Sequence, residues 1–147
     1  MKKLMIVALM AVTATFSLKA QMAAPPENKN AAEIKFDKEV HEFGNIALNN
    51  PASHTFTFTN VGKEPLIITN AAASCGCTTP EWTKEPIAPG KKGFVKATYN
   101  SATLGTFNKA VNVMSNAKNS NISLYIKGDV KPADQIGNSS DKTIKAN

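Results

Sequence analysis

Two cysteines, Cys75 and Cys77, flank Gly76 and are followed by Thr78; the chain has no other cysteine. Thiols this close join as a disulfide or a buried thiol pair, clip a soft metal ion, or cycle as a redox dithiol. Residues i and i+2 of an extended chain lie ~6.6–7.2 Å apart at their Cα atoms. A disulfide needs roughly 4.4–6.8 Å, so a turn has to close the gap, and Gly76 gives the backbone that freedom. The ring would be small and strained, which favours reduction. The loop it closes is too short to add much global stability. As a metal clip, two thiolates suit Cu(I). His41, His54, Met22 or Met114 are the further donors available, and the spacing singles out none of them. Zinc is disfavoured, because a structural site takes four ligands at recognisable spacings. As a redox dithiol the pair departs from Cys-X-X-Cys and has no βαβ context.

Other chemistry is sparse. Trp82 follows the pair closely, either as a ring packed over the end of the domain or as an aromatic anchor for a partner. There is no Gly-x-Ser-x-Gly elbow and no phosphate-cradling glycine loop. Ser74 has no identifiable base, and the carboxylates are scattered. The chain therefore reads as non-enzymatic, with thiol-redox activity as the one exception, and it implies no cofactor unless Cu(I) is bound. It contains no arginine and no lysine run interleaved with aromatics, which argues against nucleic-acid binding.

The elements that must position these residues are short strands. Met1-Lys2-Lys3 and a mostly apolar run to Leu18 match a secretory signal peptide. The run is shorter than the ~20 residues of a membrane span. Cleavage near Ala20 removes residues 1–20, with Lys2, Lys3 and Lys19, and halves the formal net charge of +6. The expected location is the periplasm or beyond, with no transmembrane segment left. Residues 21–33, with Pro25-Pro26, read as a flexible linker. Residues 131–147 are polar and are expected to form a disordered tail.

Between them the apolar period is two. Ile34, Phe36, Lys38 and Val40 share one side of a first strand. His54, Phe56 and Phe58 share a face of the second, with Thr55, Thr57 and Thr59 opposite. Further runs lie at Leu66–Thr69, Phe94–Tyr99, Phe107–Val113 and Ile122–Val130. A seventh, around Thr79–Thr83, contains Pro80 and is tolerable only at a sheet edge. Phe56, Phe58, Val95 and Leu124 are the expected core. His54 is expected to be partly buried and His41 exposed. Short strands separated by turn residues indicate a sandwich or barrel.

The stretches His41–Ile46, Phe56–Gly62, Pro65–Ile68, Ser74–Thr78 and Ile87–Gly90 together closely resemble the bacterial domain-of-unknown-function 1573 family (DUF1573). Tyr99–Ser101, Gly105, Ser115-Asn116 and Ile126–Gly128 continue the resemblance, which covers 34–130. Lys91 departs from it, standing where an acidic residue often follows the Pro-Gly turn. The resemblance implies an immunoglobulin-like antiparallel β-sandwich of about seven strands, related to the ASH, major-sperm-protein and Hydin-type domains. By analogy with those domains, it implies a module that binds another protein or an envelope component.

Overall fold

The computed structural model describes residues 28 and 30–136. The expected signal segment, most of the linker, Met22 and the tail beyond Ile136 lie outside these residues. Eight strands form: β1 Ile34–Phe36, β2 Val40–Ala47, β3 Ala52–Asn60, β4 Ile68–Ala73, β5 Thr78–Trp82, β6 Lys92–Tyr99, β7 Gly105–Ser115 and β8 Asn121–Lys131. A one-turn helix, α1, follows at Ala133–Ile136. The strands make two four-stranded sheets, ordered β1-β3-β6-β5 and β2-β8-β7-β4.

Alternation drives the packing. Phe56, Phe58, Val95, Ala97, Val111, Val113, Leu124 and Ile126 point between the sheets and are buried. Their neighbours in sequence face outward, as a two-layer structure requires. The four residues expected in the core are all in it.

The chain has one strand more than the sequence reading separates. Ile34 and Phe36 are buried in the first sheet, but Val40 is 49 % exposed and belongs to the second. The chain crosses between sheets at Asp37–Glu39. The apolar alternation runs on through the crossing, so period two alone hides the break. β2 then pairs with β8 in parallel, while every other strand pair is antiparallel. The β2–β8 register shifts between Glu42 and Asn45, where Gly44 takes a positive φ of 67°.

The doubtful run is a real strand. β5 is the edge of its sheet, where Pro80 pairs with Ala97 without breaking a central ladder. β4 is the matching edge of the other sheet. The segment joining β4 to β5 therefore climbs one side of the sandwich, and it carries both cysteines.

Candidate functional site

The cysteine segment is held on each flank by main-chain bonds. Ser74 N donates to Ala110 O at 2.9 Å, and Ala110 N donates to Ser74 Oγ at 3.2 Å. Beyond the pair, Asn100 N donates to Cys77 O at 3.0 Å. Between these anchors Thr78 N reaches Cys75 O at 3.4 Å, and the turn brings the two Cα atoms to 5.3 Å with the sulfurs joined as a disulfide. Gly76 is exposed, and a Cβ there would meet nothing within 4 Å. Thr78 is buried, and its Oγ1 has no hydrogen-bond partner among the described residues. Joined in this way the sulfurs offer no thiolate, so Cu(I) uptake would first need their reduction.

Cys77, but not Cys75, lines a cavity of about 270 Å³ with Tyr99, Asn100, Thr103, Leu104 and Lys109. Lys109 is the residue that the sequence reading passed over. It pairs with Ile126 across β7–β8, and directly opposed residues share a face, so it emerges on the inner face of its sheet. It stands just past the last β4–β7 pair, Ala73 with Val111. The signal was a lysine in the apolar phase of Phe107-Asn108-Lys109-Ala110-Val111.

Trp82 is half-buried and packs against the core, with its Nε1 buried and without a hydrogen-bond partner among the described residues. Lys84 Nζ lies 3.0 Å from the ring centroid. The ring is thus partly covered from both sides.

The histidines lie at the opposite edge, on β2 and β3. His41 and His54 stack with centroids 3.6 Å apart and planes 6° from parallel. Phe43 meets His41 edge-on at 4.5 Å, and Phe56 meets His54 edge-on at 4.7 Å. His41 is thus half-buried rather than exposed. Desolvation, and then the nearby Lys38, hold His41 below the usual imidazole pKa. His54 is lowered by desolvation, then by His41 and Lys38. Met114 lies on the outer face of β7, 45 % exposed. Among the described residues no three His, Cys, Asp or Glu side chains gather as a metal site.

The same edge has an incomplete strand. β1 pairs with β3 only at Ile34–Asn60, Lys35–Thr59 and Phe36–Phe58, and Asp37 N adds a bond to Thr57 O at 3.0 Å. β3 runs on to Ala52, paired with β6 throughout. Among the described residues no strand pairs with its other side there, because β2 has left for the second sheet. A cavity of about 200 Å³ lies along this stretch, lined by Asp37, Lys38, His54, Thr55, Phe56 and Thr57.

Residues 34–130 match the family described as protein of unknown function (DUF1573). The chain belongs to this family. The DUF1573 fold is shared by a protein of unknown function from Porphyromonas gingivalis W83, with TM-score 0.62 at 12 % identity over 71 % of this chain and 50 % of that one. It is also shared by the ASH/PapD-like domain 7 of human CEP192, with TM-score 0.58 at 10 % identity over 89 % and 99 %. The Vibrio cholerae VesB protease gives TM-score 0.55 at 18 % identity, over 68 % of this chain and 32 % of the protease. The chain thus spans half or less of the bacterial structures, and likeness at these identities carries the fold alone. No curated protein matched the sequence. Among the described residues no helix is long and apolar enough to cross a membrane.

Proposed function

We propose that this DUF1573 domain is an exported, non-enzymatic binding module that takes an extended segment of a partner protein along the open stretch of β3. The observation that carries this reading is the early end of β1. In an antiparallel ladder successive residues turn their N–H and C=O groups to opposite sides. Thr57 O accepts from Asp37 on the β1 side, so the main-chain groups of Thr55 and Ser53 face the same way, with no strand of the described residues opposite. An uncovered edge of this kind is a template for an added strand.

The neighbouring cavity gives such a strand side-chain contacts with His54 and Phe56 on one face and Thr55 and Thr57 on the other. Lys38 and Asp37 flank its end. The ASH/PapD-like likeness supports the sandwich that presents this edge. Export is supported by the apolar N-terminal run and by the use of cysteine.

The test is selection of peptides from a displayed library on the full-length protein, followed by amide hydrogen exchange of the complex. Protection of the Ser53 and Thr55 amides is expected. Thr55→Pro removes an outward N–H without touching a β6 donor, and it should abolish binding by the selected peptides. Protection confined to the 100–104 loop, or undiminished binding by the proline variant, would overturn the reading.

A further inference from the structure

We infer that the cavity beside Cys77 is a site where a small anionic thiol exchanges with the Cys75–Cys77 disulfide, with Lys109 holding its negative charge. This site borders the segment that joins the edge strands β4 and β5, and it does not depend on the binding reading.

Three observations converge on the cavity. The disulfide is displayed at a rim on a segment fixed at Ser74 and Cys77, so its position is set by the sheets rather than by the loop. Only Cys77 of the pair lines the cavity. Lys109 lines it too, and it has no ion-pair partner among the described residues. A half-buried lysine with no counter-ion among the described residues, lining the same cavity as a disulfide cysteine, favours an incoming anion. The volume of about 270 Å³ is below the ~300–1,000 Å³ of drug-sized sites. That suits a mercaptocarboxylate better than a folded partner.

Because Cys77 rather than Cys75 borders the cavity, the exchange has a direction. The incoming thiolate R–S⁻ attacks Cys77 Sγ from the cavity side, in line with the disulfide. The R–S–Cys77 bond forms as the Cys75–Cys77 bond breaks. The electron pair leaves on Cys75 Sγ, which takes a proton from solvent. A second thiolate attacking the R sulfur then releases R–S–S–R and the Cys77 thiolate. Two thiols are thereby oxidised to one disulfide as the Cys75–Cys77 pair is reduced to the dithiol.

The experiment measures reduction of the full-length disulfide protein by mercaptopropionate (anionic), mercaptoethanol (neutral) and cysteamine (cationic), with rates normalised to thiolate concentration. The anionic thiol should react about tenfold faster than the neutral one, as a single charge contact provides. Lys109→Gln should erase that preference, Lys109→Arg should restore it, and Lys127→Gln on the outer face should leave it intact. Single-cysteine variants locate the sulfur. With dicarboxylate dithiobis(nitrobenzoate) against neutral dithiodipyridine, Cys75→Ser should keep the Lys109-dependent preference for the anion and Cys77→Ser should lack it. Equal rates for the three thiols, a preference that survives Lys109→Gln, or a preference carried by Cys75 would each overturn the proposal.

Discussion

Asn60 does more to shape the end of the sandwich remote from the disulfide than any charged residue does. It is fully buried, and its Nδ2 donates to Glu64 O at 2.8 Å and to Ile87 O at 2.9 Å. Its Oδ1 accepts from Gly62 N at 3.0 Å and from Glu33 N at 3.4 Å. One amide thus ties the turn after β3 to the start of β1 and to the β5–β6 connection. Asn60→Ala removes all four of these bonds, although Ile87 O keeps Leu66 N as a donor at 2.9 Å, and should cost about 3 kcal/mol; urea unfolding should show that loss. The disulfide contrasts with it. A loop this short contributes only about 1.6 kcal/mol at 25 °C through the entropy of the unfolded chain. Cys75→Ser combined with Cys77→Ser should therefore keep the far-ultraviolet circular dichroism of the native protein and lower its urea midpoint slightly. A larger cost than that of Asn60→Ala would give the bridge a structural weight that its loop length denies it.

At the scale of elements, the alternation of Phe56 and Phe58 with threonines, and of Leu124 and Ile126 with polar residues, made the inner faces legible. The crossing at Asp37–Glu39 was not legible, because Ile34, Phe36 and Val40 keep one phase while changing sheets. Lys109 was overlooked for a related reason: the run Phe107–Val113 carries it in the inner phase, and only the departure of β4 shows the gap that admits it. The cysteine turn was visible from spacing, whereas the cavity beside it depends on the β6–β7 loop, which no local pattern announces. The stacked histidines likewise needed the register of β2 against β3 across the two sheets.

That histidine seam has a pH signature with a definite sign. Both imidazoles are held below the ordinary value of 6.5 in the folded protein, so the unfolded chain binds more protons as the solution is acidified. The seam's contribution is complete above pH ~6.5 and is lost as pH falls through the lowered values. Lys38 adds repulsion, and Asp37, which lines the same cavity as His54, is engaged at 3.7 Å by Lys92. These are the only histidines in the chain. The thermal midpoint should fall between pH 7.5 and 5.5, and it should flatten in the doubly substituted His41→Gln, His54→Gln protein. An unchanged slope in that protein would assign the titration elsewhere.

For the whole molecule, the question is whether two sheets of four strands behave as one body. Leu124 and Tyr125 are adjacent on β8, a central strand of the second sheet. Leu124 is fully buried between the layers, while Tyr125 is 40 % exposed on the outer face. Leu124→Ala leaves a cavity that both sheets line and should cost about 3 kcal/mol. Tyr125→Ala loses only cross-strand contacts with Val40 and Ala110, under about 1 kcal/mol. The single tryptophan, Trp82, lies on β5 of the other sheet and reports independently of Leu124. If the shared core couples the layers, Leu124→Ala lowers the urea midpoint of Trp82 fluorescence and of far-ultraviolet circular dichroism by the same amount, with an unchanged slope. A Trp82 transition that stays in place while the dichroism shifts would mean that the first sheet holds together without the second, and that the interlayer core does not provide the cooperativity of the fold.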